Sequence, residues 1–134
     1  MIYLLAPFIA YLAAGITKLA VNSIRTGKLA IDEIGLGGIP STHNTITATM
    51  TGLVALRAGI DNPAFGVALT LTLIVAIDAL DLRHKVGSHA TILRRLHPSD
   101  LQAARLRTKI GHNLVEVCAG WLLGLFCAFV LAHF

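Results

Sequence analysis

Charge is absent from long stretches of this chain, and the gaps are the length of membrane spans. No Asp, Glu, Lys or Arg occurs from Met1 to Thr17, from Pro63 to Ile77, or from Val117 to Phe134. A helix crossing the hydrocarbon core needs about 20 predominantly apolar residues. Charged residues make up only 13% of the 134-residue chain, and hydrophobic residues 55%. A soluble domain carries about 25% charged residues, so this chain lacks the polar groups to cover a globule in water. The reading is an all-α integral membrane helical bundle, formed as a single membrane domain over residues 1–134. The first apolar run has no basic residue before it, and Lys18 follows it. That order fits a first transmembrane helix rather than a cleaved signal segment.

The formal net charge of +4 does not point to nucleic acid. The basic residues lie between apolar runs, where membrane topology alone places Lys and Arg. Cys118 and Cys127 both fall in the last apolar run and are expected to act as small buried hydrophobes.

Four spans are expected: about Ile2 to Val21, Ser41 to Ala58, Pro63 to Leu80, and Ile110 to Ala132. Pro63 suits the first turn of a helix. The second span reads STHNTITATMTGLVALRA and is too polar to face lipid all round. It should sit inside the bundle, its hydroxyls bonded to the preceding turn or to neighbours. Residues 22–40 form a first long connection, rich in glycine at its end (Gly35, Gly37, Gly38). Residues 81–109 form a second, long and basic. There Ile92, Leu93, Leu96 and Leu101 alternate with Arg94, Arg95 and Arg105, as in a broken amphipathic interfacial helix interrupted at Pro98. Both connections fall on one face, with all of the eleven Lys and Arg residues except Arg57. The positive-inside rule then puts that face in the cytoplasm, across a bacterial inner membrane or an organelle membrane.

The same face collects the chemistry. Lys18 and Arg25 close the first span, and seven residues apart they share a helix face. Ser41, Thr42 and His43 open the second, Asp78 and Asp81 close the third, and His112 and Glu116 open the fourth. Ionisable groups at membrane depth are costly and mark functional sites by default. Two readings stand at each position. Gly37 to His43 is either a capped helix start after a loop or an anion site on helix N–H groups. His112 and Glu116, at i and i+4, are either a structural polar pair or a histidine oriented by a carboxylate. Lys18 and Arg25 either snorkel to the interface or bind an anion. Asp78 and Asp81, three apart, either pair with the cations or hold a divalent ion together with a substrate phosphate; pairing is the preferred expectation. Gly120 and Gly124 permit close helix packing, within the bundle or across a homodimer.

Taken in order, these pieces resemble the phosphatidic acid phosphatase type 2 superfamily, which includes the vanadium-dependent haloperoxidases. Its first motif, K-x6-R-P, is matched by KLAVNSIRT from Lys18 to Thr26. Its P-S-G-H is matched by Pro40 to His43, with Thr42 in place of glycine. Its terminal H-x3-D is matched by His112 to Glu116. The arginine that normally precedes the last histidine is replaced by Leu106, flanked by Arg105 and Arg107. The chain is more similar to a divergent bacterial and plant branch of short membrane proteins. The matching stretches are GGIPSTH, DALDLRHKVGSHA and GHNLVEVCAG, spread over nearly the whole chain.

The resemblance implies a membrane-embedded phosphatase of lipid phosphates or pyrophosphates, of the phosphatidic acid or polyprenyl phosphate class. In that mechanism Lys18, Arg25 and Ser41 bind phosphate, with Arg83 standing in for the missing arginine. His112 is the nucleophile, Glu116 orients it, and His43 protonates the leaving alcohol. Asp78, Asp81, Arg105, Arg107 and Thr42 are secondary candidates. No metal or cofactor is required, and no nucleic-acid partner is expected. The altered third motif leaves an alternative, a protein that binds or transports a lipid phosphate without hydrolysing it.

Overall fold

The computed structural model describes residues 1–29 and 38–134; Gly35 and Gly37 lie outside them. The described residues form six helices: α1 (Ile2–Thr26), α2 (Thr42–Ala58), α3 (Pro63–Ile77), α4 (Arg83–Leu96), α5 (Leu101–Ala104) and α6 (Leu114–Ala132). A π-helical turn, Asp78–Leu82, joins α3 to α4. The protein is an all-α membrane bundle.

Among the described residues, three helical stretches are long and apolar enough to cross a membrane: Ile2–Thr26, Pro63–Leu96 and Leu114–Ala132. The fourth helix of the bundle, α2, is shorter and more polar, and α1, α3 and α6 surround it. The packing follows from that environment. The outward side chains are large and apolar, such as Leu4, Phe8 and Leu12 on α1, Leu71 and Ile74 on α3, and Leu122 and Phe126 on α6. The buried ones are mostly small or hydroxylated. Lipid is as apolar as leucine, so burying leucine gains little there. Close backbone approach and hydrogen bonds hold the helices together instead.

Each helix carries a stripe suited to such contact. On α1 the buried residues are Ala6, Ala10, Ala14, Lys18 and Asn22, a strict four-residue repeat that lines one face. On α2, Thr45, Thr47, Thr49 and Thr51 each donate to the carbonyl four residues back. Their hydroxyl protons are thereby satisfied inside the helix, as expected for a polar helix in lipid. Two hydroxyls also reach out. Thr49 Oγ1 lies 3.1 Å from Gly124 O on α6, and Thr51 Oγ1 lies 2.8 Å from Thr72 Oγ1 on α3. Replacing Thr51 by valine removes its bond to Thr72 while keeping the side-chain shape. The expected loss is about 1 kcal/mol of bundle stability, read from denaturation in detergent micelles.

The tightest seam runs between α2 and α6, which are parallel. Ser41 faces Gly120, Thr45 faces Gly124, and Gly52 faces Ala128. A Cβ on Gly120 would lie 2.7 Å from the Ser41 carbonyl oxygen, and one on Gly124 2.6 Å from that of Thr45. These two glycines therefore serve contact inside the bundle.

Several boundaries differ from the sequence reading. The third span does not end at Leu80. Its helix continues through the π turn to Leu96, so much of the expected basic connection is helix. Apolarity ends near residue 80, but backbone hydrogen bonding needs no apolar side chains to propagate. The helix stops just before Pro98, as the lack of a proline N–H requires. The last helix begins at Leu114 rather than Ile110, because Asn113 caps it. Cys127 is buried as expected, whereas Cys118 is exposed on the outer face of α6.

Candidate functional site

Helix ends bring the chemistry together. α1 ends, α2 begins, α3 ends and α6 begins at one level of the bundle, and the charges there lie within reach of one another. His43 lies within electrostatic range of Arg83, Asp78, Lys18 and the His112 ring. Lys18 feels that of Glu116.

His112 and Glu116 form the core of the cluster. Imidazole Nδ1 lies 2.9 Å from Glu116 Oε2, and the His112 side chain is only 9% exposed. A carboxylate can only accept, so it fixes the proton on Nδ1 and leaves Nε2 with its lone pair free. Glu116 is itself held by a capping box. Its Oε2 accepts from Asn113 N at 3.1 Å, and Asn113 Oδ1 accepts from Glu116 N at 2.9 Å. The backbone of His112 is fixed on both sides. Its N–H donates to Ala79 O at the π turn, 3.0 Å away. Its carbonyl accepts from His84 Nε2, also at 3.0 Å. The preceding Gly111 has φ +105° and packs against the His84 ring, where a Cβ would come within 3.0 Å. Only glycine meets both conditions without strain.

The cations take different positions. Lys18 is 5% exposed, and its Nζ lies 3.5 Å from Thr42 Oγ1. Arg83 Nε donates to Asp78 Oδ2 at 2.6 Å, which leaves both Nη groups of the fork to other acceptors. In a regular α-helix, residues five apart point about 140° away from each other. The π turn, closed by the Arg83 N–H on the Asp78 carbonyl, swings the two side chains onto one face. Asp81 pairs with Lys85 at 2.8 Å, so each aspartate has its own cation. Arg25 is exposed in the last turn of α1. Arg105 and Arg107 are exposed beyond α5, and of the three guanidinium candidates for the missing position it is Arg83 whose charge reaches His43.

Ser41 sits differently from an open phosphate ligand. It is fully buried against α6, and its hydroxyl accepts from Asn44 Nδ2 at 3.0 Å. Asn44 Oδ1 in turn accepts from Trp121 Nε1 at 3.1 Å. This Ser41–Asn44–Trp121 chain locks the start of α2 to α6. Replacing Asn44 by leucine strands both partners. The expected loss of stability is about 1–3 kcal/mol, read as a lowered midpoint of thermal unfolding in detergent.

Sequence reasoning passed over Asn44, Trp121, His84 and Asn113. Only Asn113 carried a local signal, since Asn followed three residues later by Glu is a capping-box pattern. A cleft of about 320 Å³ lies beside the pair, between α4 and residues 108–113, with Glu116 and Asn113 in its wall.

Known proteins resemble the chain along nearly its whole length. A model of the Divergent PAP2 family matches residues 2–127. The chain is 31% identical to an uncharacterized membrane protein, YuiD of Bacillus subtilis (strain 168), over 98% of this chain and 94% of that one. No solved structure matches.

Proposed function

The chain belongs to the Divergent PAP2 family, and on that premise we propose that it is a membrane-embedded phosphatase of lipid phosphates or pyrophosphates with a histidine nucleophile. The observation that carries this reading is the buried His112 held by Glu116 at 2.9 Å, within a cluster that includes Lys18, His43 and Arg83.

The division of labour follows from the chemistry. A transferring phosphoryl group carries spread negative charge, so catalysis consists mainly of positioning and cationic stabilisation. Lys18 and the Nη groups of Arg83 neutralise the phosphate, with Arg25 adding charge at the mouth. His112 Nε2 attacks phosphorus and the bond to the leaving oxygen breaks. Glu116 stabilises the positive charge that develops on the ring. His43 gives its proton to the departing alcohol or lipid phosphate. Water then attacks the phosphohistidine, losing a proton to His43, and inorganic phosphate leaves. Ser41 serves this site through its packing, fixing the helix start that carries Thr42 and His43. The position at the ends of the spans suits an amphiphilic substrate, its phosphate at the polar layer and its chains in lipid. The concentration of Lys and Arg on this face supports its being cytoplasmic.

The test is phosphate release by the detergent-solubilised protein from a panel of lipid phosphates and pyrophosphates. Release from at least one is expected. No release from any, by protein that remains folded, would move the reading to binding or transport without hydrolysis. Within the panel, Arg83→Lys keeps the charge but loses the fork. It is expected to raise KM about tenfold with kcat changed only a few-fold, as for loss of one charge-assisted contact.

A further inference from the structure

We propose that α4 rests on the membrane surface and binds anionic lipid headgroups, its outer face dipping into the apolar edge of the bilayer. This holds whether or not the protein hydrolyses a phosphate.

The starting point is length. The helical stretch Pro63–Leu96 has 34 residues, about 50 Å at 1.5 Å per residue. The hydrocarbon core is about 30 Å thick. The stretch outruns the lipid, and the excess is α4. A helix continuing into water should be polar on its exposed side. This one is not. Leu82, Val86, Ile92, Leu93 and Leu96 are between 45% and 68% exposed. On a helical wheel they fall within one arc of about 120°. An apolar patch of that kind marks a contact with something outside the chain. Gly87, on the opposite side, packs against Thr108 and Ile110, so the inner side is taken by protein and the arc faces away from it.

The arc continues what α3 shows to lipid. Thr72 and Ala76 are buried on α3, Ala79 in the π turn, and Gly87 and Ala90 on α4. One inner side is thus kept through the turn. The outer side is kept with it, running from Ile74 and Ile77 to Leu82 and Val86. π turns are also places where long helices bend, and a bend there lays the excess along the surface.

Charge decides what covers the arc. α4 carries four cations, Arg83, Lys85, Arg94 and Arg95, and no carboxylate. Asp78 and Asp81 pair with the first two. Among the described residues, Arg94 and Arg95 have no carboxylate partner. Two copies joined along this arc would bring like charges together with nothing to offset them. Anionic lipid meets both demands: acyl chains take the leucines, and headgroup phosphates take the guanidinium groups. The long side chains of Lys85 and Arg95 can reach from the apolar edge to the headgroups. Exposed Arg105 and Lys109 in the following connection add to the same attraction.

The experiment places a fluorescent probe on Leu93→Cys, within the arc, or on Ser88→Cys, on the polar side. Cys118 and Cys127 are replaced by alanine in both proteins. Each is reconstituted in vesicles of equal parts phosphatidylcholine and phosphatidylglycerol, with bromine on the acyl chains of one lipid or the other. Iodide serves as the aqueous quencher. The Leu93 probe is expected to be quenched by brominated lipid and shielded from iodide, and the Ser88 probe the reverse. Brominated phosphatidylglycerol is expected to quench the Leu93 probe at least about fivefold more than brominated phosphatidylcholine, the scale of one cation at an anionic surface. Arg94→Gln with Arg95→Gln should remove most of that excess. Iodide quenching of both probes, with none by lipid, would mean that α4 stands in water and overturns the proposal. A Leu93 probe shielded from both quenchers would mean that protein covers the arc, and overturns it in favour of a second copy. Equal quenching by the two lipids, or an excess that the double variant leaves unchanged, overturns the assignment to anionic lipid. Every readout is independent of phosphate release, so none of these outcomes bears on the phosphatase reading.

Discussion

His112→Ala is expected to reduce phosphate release by at least about 1,000-fold, the scale on which removal of a covalent nucleophile acts. Binding of the lipid phosphate should survive, because the cations proposed to neutralise it lie on α1 and beside the π turn. The imidazole has little exposed surface and carries no helix seam, so the variant should also fold. Glu116→Gln is a milder companion. The amide can still accept from Asn113 N, but it no longer carries the charge that fixes the His112 proton and that, in the proposed mechanism, stabilises the ring in the transition state. A loss of about a hundredfold in kcat with KM little changed is expected. The measurement is steady-state phosphate release together with lipid-phosphate binding on the same preparations. Turnover by His112→Ala at close to the native rate would remove histidine as the nucleophile. Loss of binding together with turnover would instead assign His112 to recognition.

The second large effect concerns the seam. Gly124→Leu forces a side chain into a space where even a Cβ would stand 2.6 Å from the Thr45 carbonyl and 2.7 Å from the Ala48 Cβ. Both neighbours belong to α2, and neither is a flexible side-chain end that can swing away. The helices must separate, and the Thr49 bond to the Gly124 carbonyl is lost with the contact. A destabilisation of about 3 kcal/mol or more is expected. Gly66 is the control. It is also in a membrane helix, but an added Cβ there meets nothing within 4 Å. Gly66→Ala should therefore be neutral or stabilising by up to about 1 kcal/mol, the propensity difference between glycine and alanine. Both are read from thermal unfolding in one detergent. Equal behaviour of the two variants would mean that the α2–α6 approach is looser than described.

The parts legible in the sequence were those that lipid dictates. Charge-free runs gave the spans, and the threonine-rich second span had to lie inside because it could not lie outside. The layer of ionisable groups was readable for the same reason: only the ends of the apolar runs can keep Lys18, Asp78 and His112 at the edge of the lipid. What was not readable depended on a partner far along the chain. Nothing local to Ser41 tells that Gly120 of α6 closes over it, so a buried packing serine reads like a phosphate ligand. The Asp78–Arg83 pair depends on a π turn, which no residue pattern announces. Cys118 falls in an apolar run like Cys127, and only the orientation of α6 separates the outward thiol from the inward one. Gly111 and His84 meet through tertiary contact and had no local signature, whereas the Asn113 cap was legible and was overlooked in favour of pairing Glu116 with His112.

The parallel seam of α2 on α6 also sets an order for biogenesis. α2 is synthesised more than fifty residues before α6, yet α6 supplies the glycine face that receives its hydroxyls. A segment this polar gains little on entering lipid alone. α1 and α3 can shelter part of it earlier, but its tightest seam is closed only when the last helix emerges. The bundle is then completed late, and a ribosome halted before residue 114 should leave α2 less protected on the face that α6 covers than in the full chain.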